Sequence, residues 1–232
     1  MKSEQIKANI TALENQIRAI AQSVNRDPNE ILIIAVSKTH PIEAVQYAYQ
    51  AGITIFGENR VQELVAKASQ LPQAQWHLIG HLQTNKVKQV LPYVKLVHSL
   101  DSLRLAETIS KHSLALNKIT ECLVQVNISY EEQKSGIAPE KAEDLLKSIE
   151  NLPNLKVIGL MGIATHTEDS EKIRQEFRLL KQLFEKFQRV YTNSSAIQMQ
   201  HLSMGMSHDF AIAIQEGATM LRIGSAIFGP RS

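Results

Sequence analysis

The chain has 232 residues, 44% hydrophobic and 21% charged, a composition typical of a globular protein with one large domain or two small ones. Its 25 lysines and arginines nearly balance 23 aspartates and glutamates, so the charge predicts neither nucleic acid nor a membrane as a partner. Cys122 is the single cysteine, so it forms no internal disulfide, and its apolar run predicts a buried thiol. Because the first residues lack the apolar segment of a secretion signal, we expect a cytoplasmic protein.

Apolar residues in the opening segment recur at alternating steps of four and three, which predicts an amphipathic helix. They are Ile6, Ile10, Leu13, Ile17, Ile20 and Val24. The pattern stops before Asp27-Pro28-Asn29, a combination that breaks helices. We interpret this helix as a scaffold element that covers the core.

Eight short apolar runs follow, separated by stretches with helical periodicity. The runs span 31–37, 53–57, 76–80, 95–99, 122–128, 156–164, 201–205 and 221–225. Continuous apolar runs are typical of parallel strands buried on both faces, and eight of them alternating with helices predict a single (β/α)8 barrel over residues 1–232. No Pro/Gly/Ser-rich linker divides the chain, so we expect no second domain. Periodicity alone leaves an open, doubly wound sheet as the alternative.

Binding sites in such barrels lie at the carboxyl ends of the strands, so the polar residues that follow the runs are the candidates. Lys38 follows the first run directly, where partial desolvation would favour the neutral amine that attacks a carbonyl. The last two runs end in small residues that let backbone N–H groups approach an anion, at the positions where many barrels bind phosphate. These residues are Ser203, Gly205, Gly224 and Ser225, with Ser207 as the expected N-cap of the next helix and Arg222 beside them.

Other catalytic and metal-binding patterns are absent from the sequence: it contains no Walker motif, no GxGxxG after the first run and no HExxH. His77 and His81 are four apart but not on one helix face, so we expect no metal. His201 and His208 flank the predicted phosphate turn and are interpreted as structural. Glu58 is the one acid at a strand end, so acid–base hydrolysis has no pair of carboxyl groups.

The chain resembles the pyridoxal phosphate homeostasis proteins in six segments, AVSKTHP (35–41), FGENRVQE (56–63), WHLIGHLQTNK (76–86), LMGIATH (160–166), LSMGMSHDF (202–210) and LRIGSAIFG (221–229). The resemblance implies a barrel like the N-terminal domain of fold-type III alanine racemase, with pyridoxal 5′-phosphate as the cofactor. It implies a Schiff base on Lys38, Asn59 near the cofactor ring and Arg222 at the pyridine nitrogen. It places the phosphate at Ser203, Gly205, Gly224 and Ser225.

An arginine at the pyridine nitrogen bears on the expected chemistry. A guanidinium stays charged and accepts no proton, so the ring nitrogen would stay unprotonated and the cofactor would be a poor electron sink. Racemases that resemble this barrel tolerate the arginine but also use a second base, a tyrosine from a separate C-terminal domain of the partner subunit. This chain stops after its eighth predicted strand, and none of its five tyrosines lies in a matching motif.

We therefore expect a monomeric, non-catalytic protein of vitamin B6 homeostasis. It would buffer pyridoxal phosphate or pass it to apo-enzymes as transient acceptors, and would affect amino- and keto-acid pools indirectly. A small amino-acid racemase with an unidentified second base is the alternative. A regulatory interaction module, in which the cofactor only stabilises the fold, is a further one.

Overall fold

Eight parallel strands pair in sequence order in the computed structural model, which describes residues 3–230. The first strand also pairs with the eighth, with Leu32 opposite Met220, so the sheet closes into a barrel and is not an open one. The (β/α)8 prediction is confirmed. The strands are β1 Leu32–Val36, β2 Ile55–Glu58, β3 Gln75–Leu78, β4 Leu96–Leu100, β5 Thr120–Val126, β6 Leu155–Gly162, β7 Ile197–Ser203 and β8 Met220–Ile223.

Helices connect the strands around the outside of the barrel. They are α1 Ser3–Ser23, α2 Ile42–Gln50, α3 Val61–Gln70, α4 Val87–Val90, α5 Leu103–Ala115, α6 Ala142–Ile149, α7 Ser170–Val190, α8 Phe210–Gln215 and α9 Ser225–Phe228. Short 3₁₀ turns lie at Pro28–Glu30, Thr84–Lys86 and Pro139–Lys141. Within residues 3–230, no helix combines the length and the apolar character that a transmembrane segment requires.

The predicted N-terminal helix is present as α1, and it packs against α2, α8 and α9. α8 has six residues and α9 has four, so they leave part of the outer barrel face open. α1 covers that face with a buried stripe of Ile6, Ile10, Leu13, Ile17 and Ala21. Arg26, just after the helix, donates hydrogen bonds of 2.8 Å to Ile214 O and Ala218 O, which fastens α1 to the end of α8.

The barrel interior holds an apolar layer of Ile34, Leu96, Leu123, Ile158, Met161 and Met220. The larger hydrophobic cluster lies between the strands and the outer helices. Cys122 belongs to that larger cluster and is fully buried, and burial raises the pKa of its thiol. This placement fits the predicted inert packing role of the single cysteine.

Candidate functional site

A cavity of about 460 Å³ opens at the carboxyl ends of the strands, a size that suits a small cofactor. Five of the seven predicted site residues line it: Lys38, Asn59, Arg222, Gly224 and Ser225. Strand order explains why these residues lie together, because β8 and β2 flank β1 in the closed sheet. The remaining lining consists of Val36, Ile79, Ile163, His166, Met206, Ser207 and His208.

Ser203 and Gly205, the other two predicted residues, lie outside this lining. Ser203 is fully buried, and its hydroxyl accepts a 2.7 Å hydrogen bond from Arg222 Nη1. Gly205 has a φ of +93°, and an added Cβ would lie 2.6 Å from the Cβ of Ala213, so this glycine serves the packing of the loop on α8. That both residues hold the phosphate therefore stays a prediction.

Ser207, four residues after Ser203, was not among the residues predicted to hold the phosphate. The sequence predicts Ser207 as the N-cap of α8, but Asp209 occupies that position, so this expectation is wrong. Ser207 lines the cavity, and its hydroxyl accepts a 3.3 Å hydrogen bond from Ala226 N in α9. This bond joins the loop after β7 to the turn at Gly224 and Ser225. The two small-residue turns therefore meet, and they meet through Ser207.

Arg222 carries a buried positive charge beside the cavity, with only 4% of the residue exposed. Its Nη1 donates to Ser203 Oγ and its Nη2 donates to Gly162 O at 2.8 Å. Within residues 3–230 no carboxylate lies within ion-pair distance of it. Burial lowers the pKa of Arg222 to about 10, which still leaves the guanidinium charged at neutral pH. A cation held in this way favours an electron-rich or anionic group in the cavity.

A row of buried polar groups continues behind Arg222 into the barrel. His98 Nδ1 lies 3.1 Å from Ser203 Oγ, and His98 Nε2 lies 3.0 Å from His77 Nδ1. Burial lowers the pKa of His77 to about 3, and burial, together with the neighbouring His77 ring and the charge of Arg222, holds the pKa of His98 well below 6.5. Both imidazoles are therefore neutral in the folded protein at neutral pH. The structure places His81 elsewhere, at the mouth of the barrel near Asp101.

The two buried histidines predict that acid destabilises the fold. In the unfolded chain both titrate near pH 6.5, so below that pH the unfolded state binds more protons than the folded state. We expect the free energy of unfolding to fall, between about pH 6.5 and 5, by up to about 1.4 kcal/mol per pH unit for each histidine. Urea unfolding across this range measures the slope. His77→Gln removes one titrating group, and an unchanged slope in that variant would contradict neutral burial of His77.

The aromatic and apolar lining residues carry little sequence signal. Ile79 and Ile163 lie in the apolar runs predicted at 76–80 and 156–164, so in the sequence they look like ordinary strand residues. His166 and His208 pack edge to face with ring centroids 5.1 Å apart at the rim of the cavity, although the sequence favours a structural role for His208. Glu58 points away from the cavity and hydrogen-bonds to Ser37 and Lys67. Proximity to a strand end therefore does not by itself place a side chain in the site.

Comparison with known proteins gives consistent results. The family model for the alanine racemase N-terminal domain matches residues 8–232. Pyridoxal phosphate homeostasis proteins of Aquifex aeolicus and Haemophilus influenzae are each 42% identical to this chain, over 93% and 98% of it and 94% and 96% of their own lengths. The structure of PipY from Synechococcus elongatus PCC7942 with PLP bound has a TM-score of 0.84 and 32% identity, covering 97% of this chain and 100% of PipY.

Alanine racemase of Clostridium difficile 630 has the same fold, with a TM-score of 0.76 at 14% identity. The match covers 98% of this chain and 56% of the racemase chain. The fold and site thus define a barrel of the alanine racemase N-terminal domain class. Within that class, the chain belongs to the pyridoxal phosphate homeostasis protein family.

Proposed function

We propose that this protein binds pyridoxal 5′-phosphate through a Schiff base on Lys38 and acts in vitamin B6 homeostasis without catalysing a reaction of its own. It would buffer the reactive aldehyde and deliver it to apo-enzymes, and so affect amino- and keto-acid pools indirectly. The main observation in its favour is that Lys38, Arg222 and two turns, one at Ser207 and one at Gly224 and Ser225, line the same cavity. The names of the curated relatives and the PLP-bound PipY structure support the same cofactor.

The residues present fit each part of this cofactor. Lys38 supplies the amine that condenses with the aldehyde. Ser207, Gly224 and Ser225 offer hydroxyl and backbone donors, in a turn without bulky side chains, to the phosphate. The apolar side chains of Ile79 and Ile163 suit the faces of the ring, with Asn59 beside it. Arg222, whose guanidinium can only donate, suits the pyridine nitrogen.

The lining also supports the absence of catalysis. When bound, pyridoxal phosphate supplies an electron-withdrawing ring, and protonation of the ring nitrogen strengthens that effect. Arg222 would donate a hydrogen bond to this nitrogen but is a very poor proton source, so it would leave the nitrogen unprotonated. None of the five tyrosines, all within the described chain, lines the cavity, so no tyrosine base faces Lys38 there. The relatives are named as homeostasis proteins.

A transfer assay tests the delivery role. The loaded protein is mixed with an apo-aminotransferase in the presence of a phosphatase that destroys cofactor in solution. We expect wild-type protein to reactivate the aminotransferase, whereas Lys38→Ala protein incubated with the same amount of cofactor does not. Equal reactivation by the two proteins would show that the cofactor reaches the aminotransferase through solution, and would refute delivery by this chain.

A small amino-acid racemase is the second candidate, favoured by the shared fold with alanine racemase. Incubation of the loaded protein with single L-amino acids, followed by chiral chromatography, separates the two candidates. Turnover above about 1 s⁻¹, an ordinary enzymatic rate, would overturn the carrier proposal. We expect no D-enantiomer above the level given by cofactor alone.

The phosphate assignment predicts a difference between two serines. Ser207→Ala should weaken binding of pyridoxal phosphate by about tenfold, the effect of losing one hydrogen bond to a charged group, and should barely affect pyridoxal. Ser203→Ala is the matched control, because Ser203 lies behind Arg222 and not in the lining. It should affect both ligands alike. Equilibrium titration with each ligand measures the four constants, and an equal loss for both ligands in Ser207→Ala would refute its contact with phosphate.

We propose, finally, that residues 1–232 form one cofactor-binding domain that acts as a monomer in the cytoplasm. The single barrel formed by the described residues and the family match over 8–232 support the domain assignment. The buried thiol of Cys122 suits a reducing compartment. Limited proteolysis, sedimentation equilibrium and cell fractionation test the three statements in turn.

A further inference from the structure

We propose that Glu63 and Lys67 position Lys38 by holding a strained turn in place, although neither residue lines the cavity. The inference rests on the proposed attachment of the cofactor to Lys38. It assigns a function to a buried ionic cluster on the outside of the barrel, which we call the Lys67 cluster. This cluster consists of Glu58, Glu63 and Lys67 together with Ser37.

The turn that presents Lys38 has an unusual backbone. His40 N donates a 3.1 Å hydrogen bond to Ser37 O, so residues 37–40 form a β-turn with Lys38 and Thr39 at its two central positions. Thr39 has a φ of +68°. A positive φ at the third turn position is the requirement of a type II turn, which normally places glycine there. A β-branched residue in this region is a genuine outlier, and such outliers persist only where the surroundings hold them.

The Lys67 cluster supplies that hold on both sides of Lys38. On one side, Ser37 O accepts a 2.7 Å hydrogen bond from Lys67 Nζ. On the other side, Thr39 N donates a 2.8 Å hydrogen bond to Glu63 Oε1. Glu63 is fixed in turn by Lys67 Nζ at 2.8 Å, one helical turn further along α3. The two peptide groups that flank the reactive lysine are therefore anchored to the same ammonium group.

Burial makes the anchor rigid. Lys67 has 8% of its side chain exposed and Glu58 has none, and Lys67 Nζ lies 2.7 Å from Glu58 Oε1. Glu58 Oε1 also accepts a 2.6 Å hydrogen bond from Ser37 Oγ. The three ammonium protons thus have three acceptors, Ser37 O, Glu58 and Glu63. Burial opposes ionisation of Glu63, but hydrogen bonds from Lys67 and Thr39 outweigh it, so the pKa of Glu63 lies below its usual value.

The consequence is a fixed starting point for the Lys38 side chain. A turn that relaxed to a negative φ at Thr39 would redirect the chain at Lys38 and move its amine relative to Arg222 and the phosphate turns. In the positive-φ conformation the N–H of Thr39 is directed towards α3. Glu63 prevents the relaxation by accepting a hydrogen bond from this N–H. Glu63 is therefore a positioning residue. Its loss should slow covalent attachment of the cofactor without removing any group from the cavity.

The test is a double-mutant cycle on the full-length protein, with Glu63→Ala, Thr39→Gly and the double variant. Glycine adopts the positive φ without strain, so the turn of the Thr39→Gly variant no longer needs Glu63. We expect Glu63→Ala to slow formation of the visible absorbance band on mixing with pyridoxal phosphate by about tenfold, the ratio for one lost hydrogen bond to a charged group. In the Thr39→Gly background, Glu63→Ala should slow formation of this band by less than about threefold.

A second measurement needs no cofactor. Hydrogen exchange of the Thr39 amide, followed by NMR, should accelerate by at least about tenfold in Glu63→Ala. Glu63→Gln keeps a neutral acceptor for this amide and should rescue part of both effects. Should Glu63→Ala fail to fold, the Glu63→Gln variant and the Thr39→Gly background still test the proposal. Glu43→Ala, an exposed acid in α2, is the matched control and should behave as wild type.

The outcomes separate this inference from the proposed function. If borohydride treatment of loaded wild-type protein traps no adduct on Lys38, the proposed function fails, and this inference fails with it. If wild type forms the adduct and Glu63→Ala forms it equally fast, the inference alone fails. An equal loss in the wild-type and Thr39→Gly backgrounds also overturns it, because Glu63 would then act by a route other than the strained turn.

Discussion

Replacement of Lys38 by alanine is expected to abolish covalent attachment of pyridoxal phosphate. Lys38 lines the cavity, and its amine is the group proposed to condense with the aldehyde. We expect the visible absorbance band to disappear and the affinity to fall by more than about 100-fold, equivalent to roughly 3 kcal/mol. Absorbance titration and borohydride reduction with peptide mapping measure the two effects.

Lys134→Ala is the matched control for this experiment. Lys134 also lies near the mouth of the barrel, where it lines a neighbouring cavity of about 210 Å³ that shares Asn59. Its Nζ donates to Ala164 O at 3.0 Å and pairs with Glu131 at 2.6 Å. We expect Lys134→Ala to keep the band. A Lys38→Ala protein with a band of wild-type intensity would refute the assignment of the Schiff base.

Of the substitutions proposed here, Lys67→Met is expected to lower the free energy of unfolding most. Lys67 compensates the fully buried carboxyl group of Glu58 and also holds Glu63 and Ser37 O. Methionine has a similar length but leaves Glu58 without its cation, and breaking a buried pair in this way costs about 3–5 kcal/mol. Urea unfolding at neutral pH should show this loss as a lower midpoint with an unchanged slope.

Two further variants show whether the loss comes from the uncompensated charge. Glu58→Gln combined with Lys67→Met removes the buried carboxylate as well, so it should recover part of the stability. Lys147→Met removes another Lys–Glu pair with the same i,i+4 spacing, but Lys147 has 60% of its side chain exposed, so we expect almost no change. Equal losses in Lys67→Met and Lys147→Met would contradict the importance of burial.

The sequence predicted the architecture well because the buried positions of strands and helices appear in the chain as apolar residues at regular spacings. Each strand of a closed parallel barrel is covered on both faces, so most of the strands appear as apolar runs. β7 is the exception, because Gln198, Gln200 and His201 interrupt it, and the run predicted at 201–205 overlaps only its last three residues. The α1 stripe is visible for a related reason, since a helix that covers a core repeats its apolar residues every three or four positions. Lys38 and Arg222 could be chosen as candidates from the sequence because they lie close to the carboxyl ends of the first and last strands.

The partners of the serines in and after β7 could not be predicted from the sequence. Ser203 and Ser207 are both small, polar and close to the end of β7, so local sequence gives them nearly the same weight. Their different hydrogen-bond partners arise from the path that the chain takes after the strand. Ser203 still belongs to β7 and its hydroxyl meets Arg222 from β8, whereas Ser207 lies four residues further on and meets Ala226. The partner in each case comes from a different part of the chain.

Local sequence was enough to predict eight strands, the covering helix and a lysine just after the first strand, because these depend on periodicity and on position along the chain. Closure of the sheet, the grouping of polar residues around one cavity and the pairing of others in the interior were set by tertiary contacts. The Lys67 cluster, the His77–His98 row and the different partners of Ser203 and Ser207 all depend on contacts between distant segments. Such contacts are fixed by barrel closure and side-chain direction, and neither leaves a periodic trace in the chain.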